Sequence, residues 1–156
     1  TFVTKKICEA LCKIKQGKQK TLYVGNLYSK RDWGHAKDYV KVMWLMLQQR
    51  KPDDYVVATG KQYSVKYFIN LVCRILKIDI SWKGKGLNEV GIDKKSKKII
   101  IRCDKKYFRP TEVESLLGNS SKARKKLGWK TSYNINKLAK EMVDYELDRL
   151  NDKENR

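Results

Sequence analysis

The apolar residues of this chain change period as it runs, and that switching constrains the fold more than any other feature. Ile7, Ala10, Leu11 and Ile14 recur at i, i+3, i+4 and i+7, the stripe of a helix packed on one face, and Gly17 supplies its stop. Residues 21–24, TLYV, then read as a short strand. Val40, Met43, Trp44 and Leu47 form the apolar stripe of a strong amphipathic helix, with Pro52 marking the loop after it. Residues 54–58, DYVVA, read as a strand buried on both faces and ended by Thr59-Gly60. Ser64 is placed to cap a helix whose buried face is Val65, Phe68, Ile69, Val72 and Leu76. Residues 79–82 predict a strand, Gly84 and Gly86 a loop, residues 91–98 a hairpin turn, and Ile99-Ile100-Ile101 a further strand. After Pro110 come a short helix capped near Ser120 or Ser121, carrying Ala123 and Leu127, and a long one carrying Leu138, Met142 and Tyr145. The alternation predicts an α/β fold in a single lobe over residues 1–156, with a local helical unit near the C-terminus and a disordered tail at 151–156.

Composition sharpens this by exclusion. Hydrophobic residues make up 41% of the chain, enough for a core, yet no apolar run approaches the roughly 20 residues needed to span a bilayer. No membrane partner is therefore expected. The opening TFVTKKICEA lacks the apolar centre and cleavage site of a signal peptide, which points to a cytoplasmic protein. It also lacks an initiator methionine, so the chain reads as a segment of a longer protein. Cys8 and Cys12 are spaced i, i+4 on the first helix, but no second pair completes a metal site with Cys73, Cys103 or the lone His35. Reduced, mostly buried thiols are expected. The net charge of +19 would attract polyanions, but it is mainly lysine spread along the whole chain. Base reading favours arginine forks and exposed aromatics, so the charge reads as surface solvation and no specific nucleic acid is expected as partner.

Candidate chemistry concentrates in residues 25–40, GNLYSKRDWGHAKDYV. Arg31-Asp32 follows one short strand and precedes a helix, a junction where α/β folds place ligand-binding groups. An arginine there suits a phosphate through two-pronged hydrogen bonds; the competing reading is a solvated arginine beside a helix-capping aspartate. Lys6, near the start of the first helix, and Arg109, just before Pro110, are further anion-binding candidates. Glu112 follows Arg109 by three residues, so one segment offers a cation and an acceptor, as a nucleoside diphosphate requires; an internal ion pair bracing the turn is the alternative. Gly84-Lys85-Gly86 lacks the third glycine and following helix of a dinucleotide loop. Tyr133 and Lys137 have the Tyr-x-x-x-Lys spacing of short-chain dehydrogenases, but they straddle a helix start with no Rossmann unit before them, and chance explains the match. No catalytic residue is assigned.

FVTKKI (residues 2–7), GNLYSKRDWGHAKDYVKVMWLMLQQ (25–49), DDYVVATG (53–60), SVKYF (64–68) and YFRPTEVESLLGNSSKARKKLGW (107–129) together resemble the GDP-mannose 4,6-dehydratase family. These are extended short-chain dehydrogenases/reductases of the NAD-dependent epimerase/dehydratase superfamily. The resemblance covers essentially the whole chain. It implies the C-terminal substrate-binding lobe of an NAD(P)-binding Rossmann-type protein, with the last Rossmann-associated strand and helices, and with the Rossmann N-terminal half absent. That missing half would bind NADP and carry the catalytic Tyr, Lys, Thr and Glu. By similarity Lys6, Arg31 and Arg109 contact the GDP phosphates, Glu112 binds the ribose, and Val3, Gly25 and Asn26 line the nucleotide pocket. His35 is read as packing or capping. The family has Thr-Arg-Lys where this chain has Thr4-Lys5-Lys6, so the arginine's role does not pass to Lys5.

For the intact enzyme the resemblance implies NADP-dependent conversion of GDP-mannose to GDP-4-keto-6-deoxymannose plus water, on the route to GDP-fucose and related deoxysugars. Hydride leaves C4, water is lost across C5–C6, and the hydride returns to C6. The lobe alone would be inactive, and the intact protein a homodimer or homotetramer. Its strand at residues 54–58 would pair with the Rossmann sheet, so that a free lobe exposes a hydrophobic edge. The competing reading of the residues is a non-catalytic basic module that binds nucleotides or nucleic acid.

Overall fold

The computed structural model describes residues 2–107 and 113–152. Helix α1 (Val3–Lys15) buries Ile7, Cys8, Ala10, Leu11 and Cys12 on one face. Gln16 caps it and Gly17, at φ +73°, turns the chain away, a conformation in which a side chain would be strained. Strand β1 (Leu22–Val24) follows and pairs in parallel with β6 (Ile99–Cys103), Leu22 opposite Ile101 and Val24 opposite Cys103. Antiparallel β5 (Val90–Asp93) and β4 (Ile80–Lys83) complete a four-stranded sheet in the order β1-β6-β5-β4. Its centre is dry: Leu22, Val24, Ile100 and Ile101 share one core with α1, with α3 (Val65–Ile75) and with α5 (Ile135–Asp152).

A second, two-stranded ladder joins β2 (Lys30–Arg31) to β3 (Tyr63–Ser64), Arg31 opposite Tyr63. Between these strands lies α2 (Ala36–Leu47), which meets α4 (Ser121–Leu127) in a smaller cluster around Val42, Ala123, Leu127 and Trp129. Trp129 is fully buried, and its indole N–H donates to the Asp38 carbonyl at 3.0 Å. Ser64 caps α3 as expected, its hydroxyl accepting from the Tyr67 amide at 3.1 Å.

Several expectations fail, each for a local reason. The stripe of α2 faces outward: Val40, Met43, Trp44 and Leu47 are between 58% and 82% exposed. That helix is apolar on two faces, and the one that packs inward carries Asp38 and Val42 instead. Residues 54–58 form no ladder. The chain at 116–118 comes alongside, with Gly118 against Ala58, but the two run past one another without a strand register, and Val56 is left exposed. Only Ala58 of that run is fully buried, while Tyr55 and Val57 pack part-buried on the α2–α4 cluster. Gly91 sits inside β5, where a Cβ would press on Ile101 and Ile80 at 2.8 Å, and the turn is confined to residues 94–97. Asp93 holds that turn by accepting from the amides of Lys95 and Ser96. On α5 the buried face is Ile135, Ala139, Val143, Glu146 and Leu150, and Tyr145 is exposed. Asn119, not a serine, caps the first amide of α4, while the buried Ser120 hydroxyl has no partner among the described residues. Residues 151 and 152 are helical rather than disordered; the remainder of the expected tail, 153–156, lies outside the described residues.

The cysteines are free, with Cys8, Cys12 and Cys73 buried and Cys103 part-exposed. Burial pushes the thiols of Cys8 and Cys73 up to about 12 and that of Cys12 to about 11, the Glu146 carboxylate adding to the first and third. Thiolate is the reactive form, so these groups are inert near neutrality. In the folded chain at pH 8, a thiol-specific disulfide reagent should modify Cys103 first and leave the other three for unfolding in urea. Counting modified thiols against time checks this; four thiols reacting together in native buffer would contradict the packing.

Candidate functional site

A cleft of about 1090 Å³ runs between α1 and β1 and reaches the loop that follows β1. Its size is at or above the usual small-molecule range of roughly 300–1,000 Å³. Five sequence-predicted residues line it: Val3, Lys6, Gly25, Asn26 and Arg31. They reach it from three elements. Val3 and Lys6 stand three apart on the first turns of α1 and so share a face. Gly25 and Asn26 follow β1 directly, and Arg31 comes from β2. Lys5, one residue away on α1, is exposed and is not part of the wall.

The wall between β1 and β2 is held by the backbone. The Asn26 side chain accepts from the Tyr28 amide at 2.8 Å, and the carbonyls of Leu27 and Ser29 accept from the amides of Lys66 and Val65 at the start of α3. Behind this loop Glu89 is almost fully buried and takes hydrogen bonds from Lys66 and from the Tyr28 hydroxyl. Burial pushes the Glu89 carboxyl up, but those two donors outweigh it and leave it below the ordinary value. Ser29 lies in the same wall with a buried hydroxyl that has no partner among the described residues.

Arg31 is anchored rather than solvated. Its Nη1 donates to the carbonyls of Lys30 and Val113, at 2.8 and 2.7 Å. Lys30 and the chain at 114–116 exchange backbone bonds in a short parallel bridge. Lys6 lies with its Nζ 3.3 Å from the centre of the Tyr107 ring. Burial lowers the Lys6 pKa, and the nearby Asp104 carboxylate partly restores it. Arg109 and Glu112 lie outside the described residues. The chain flanking them is fixed at both ends, by Tyr107 on Lys6 and by Val113 on Arg31.

The remaining polar residues of the 25–40 run are fasteners. Asp32 does not cap α2. Its carboxylate accepts from the amides of Thr59 and Gly60, at 3.0 and 2.8 Å, and from the Thr59 hydroxyl. His35 caps α2 instead, Nδ1 accepting from the Lys37 amide at 3.0 Å. Its ring stacks on Tyr133 and its Nε2 lies 3.3 Å from Glu141, so the packing and capping role read for it stands. Asp38, buried at 3% exposure, accepts from the amides of Ser132 and Tyr133. Tyr133 is thus part of this brace, ahead of the first turn of α5 that carries Lys137, and the Tyr-x-x-x-Lys spacing builds no catalytic pair. Neither Tyr107 nor Asp38 reads as a site or brace residue in the sequence, and Asp32 reads there as a helix cap rather than a brace. Tyr107 borders the Phe-Arg-Pro motif, the one signal that marks it. Nothing local marks the partners of the two aspartates, which lie 27 or more residues away.

Among the described residues nothing fits a dinucleotide cofactor. Strand β1 runs into a loop and then β2, with no helix N-terminus behind a glycine turn, and Gly86 opens a three-residue helical turn followed by a strand. Nor does any group of His, Cys, Asp and Glu among those residues assemble a metal site, and no helix there is long and apolar enough to cross a membrane.

The fold is shared with one part of several larger solved structures. The chain superposes on RMD from Pseudomonas aeruginosa complexed with NADPH, with a TM-score of 0.76 at 19% identity, over 95% of this chain and 43% of that one. UDP-glucose 4-epimerase from Bifidobacterium longum in complex with NAD+ and UDP gives 0.69 at 19%, over 96% and 40%. The family model for GDP-mannose 4,6 dehydratase matches residues 1–142. The chain is 47% identical to the GDP-mannose 4,6 dehydratase of Dictyostelium discoideum over 96% of its length and 42% of that protein's. For the enzyme of Cricetulus griseus the identity is 49%, over 96% and 41%. The chain therefore belongs to the GDP-mannose 4,6-dehydratase family, and it spans about two fifths of the length of these relatives.

Asp38→Ala removes the buried carboxylate that accepts from two part-buried amides and should destabilise the chain by about 1–3 kcal/mol. Urea unfolding of both proteins measures it; an unchanged midpoint would show that the 132–133 loop is held by other means.

Proposed function

We propose that this chain is the GDP-sugar-binding lobe of a GDP-mannose 4,6-dehydratase, a lyase that acts on GDP-mannose. The observation that carries this is the convergence of Val3, Lys6, Gly25, Asn26 and Arg31 on one cleft. Two cations from separate elements suit the two phosphates of GDP, with Arg31 already oriented by two carbonyls. Phe2 caps α1 with no side-chain hydrogen bond, so the first amides of that helix favour an anion in the same direction. Arg109 and Glu112 complete the clamp in this proposal, as a third cation and as the acceptor for the ribose hydroxyls. Family membership, at 47–49% identity to named dehydratases, supports GDP-mannose over other nucleotide sugars.

The lobe's contribution is orientation. Bound through its diphosphate, the nucleotide holds the hexose in one pose at the cleft mouth, which turns an encounter between two molecules into a positioned one. The redox chemistry belongs to NADP, bound by a further region of the longer protein, and this lobe alone is inactive. The outward apolar stripe of α2 supports a partner region: Val40, Met43, Trp44 and Leu47 are placed for contact rather than for solvent. The intact protein in this proposal is a cytoplasmic homo-oligomer.

Calorimetric titration tests the reading. GDP should bind, GMP should bind at least about tenfold more weakly, and Lys6→Ala or Arg31→Ala should each weaken GDP by about ten- to a hundredfold. Binding of a DNA duplex but not GDP, abolished by salt, would instead establish a polyanion module.

A further inference from the structure

Lys6 is a part-buried ammonium whose nearest partner is a ring. Its Nζ lies 3.3 Å from the centre of the Tyr107 ring, on the wall of the cleft, and among the described residues no carboxylate stands within ion-pair distance of it. The ring is itself held by the sheet. The Asp104 amide donates to the Val24 carbonyl at 2.8 Å, extending the β1–β6 ladder by one bond. The Asp104 carbonyl then accepts from the Tyr107 amide at 3.0 Å, and its carboxylate accepts from the Lys106 amide at 2.9 Å. Asp104 is thereby occupied with its own turn, which presents Tyr107 to the cleft.

We propose that Tyr107 is a positioning residue for anion binding, its ring face fixing the Lys6 ammonium in the cleft while leaving the charge unneutralised. The proposal rests on the phosphate-binding reading of this site. A carboxylate partner would orient Lys6 equally well, but it would compete with the ligand and would have to be displaced. A π face attracts the cation through its quadrupole and carries no net charge, so the ring adds nothing that opposes the field at a phosphate. The Asp104 carboxylate acts on Lys6 without an ion-pair contact and accepts from its own turn. The ring also limits the rotamers of a long flexible side chain, so less freedom is lost when the anion binds. Tyr107 is 45% exposed, so its replacement removes little of the core.

The full chain is compared with Tyr107→Phe, which keeps the ring, and Tyr107→Leu, which removes it. Without ligand, the Lys6 ε-protons should be shifted upfield by the ring current in the wild type and in Tyr107→Phe, and not in Tyr107→Leu. Inorganic pyrophosphate, titrated by calorimetry, should bind about three- to tenfold more weakly to Tyr107→Leu and within about twofold of wild type to Tyr107→Phe. Absence of the upfield shift in the wild type would overturn the proposal. So would equal pyrophosphate affinity in wild type and Tyr107→Leu, or a folded Tyr107→Phe that binds as weakly as Tyr107→Leu. Failure of the wild type to bind both pyrophosphate and GDP would overturn the phosphate reading and the role with it, whereas normal binding shared by all three proteins overturns the positioning role alone.

Discussion

Asp32 accepts from the amides of Thr59 and Gly60 and from the Thr59 hydroxyl, and the geometry of the cleft follows from that anchorage. Strand β2 is two residues long, and a ladder that short has little stability of its own. About thirty residues, α2 among them, separate it from its partner β3. Asp32 closes this excursion near its base, so the pairing of Arg31 with Tyr63 no longer bears the whole entropic cost of the loop. Arg124 reinforces the same point by donating to the Thr59 carbonyl at 2.8 Å. Held in this way, Arg31 keeps its guanidinium on the carbonyls of Lys30 and Val113 rather than in solvent.

The 25–40 run therefore divides its labour. Gly25, Asn26 and Arg31 face the cleft, while Asp32, His35 and Asp38 bind parts of the chain that are remote in sequence. This explains why so many specific residue types sit together. A carboxylate that accepts from two backbone amides cannot become an alkyl group without taking away their acceptor. The run reads as a ligand motif because its scaffolding requirements are as strict as its chemical ones.

The helix and strand periods of α1, α3 and the sheet were legible because each has one dry face and one wet one, as with Ile7, Ala10, Leu11 and Ile14. The candidate site residues were drawn from the resemblance, and five of them, those in the described residues, line one cleft. Two features show why the rest was not legible. The stripe of α2 looks like a core face, and periodicity cannot tell a face buried in this chain from one that meets something else. The strand expected at residues 54–58 has the right composition, but a strand is made by its neighbour, and the run forms no ladder with any described residue. Both misreadings concern surfaces rather than the core.

The most direct test of the account is a crystal structure of this chain soaked or grown with GDP. The diphosphate is expected in the cleft between α1 and the loop after β1, with phosphate oxygens within hydrogen-bond reach of Lys6 Nζ and of the Arg31 guanidinium, and the nucleoside along Val3, Gly25 and Asn26. GDP density on the lysine-rich surface of α4, with the cleft empty, would contradict it.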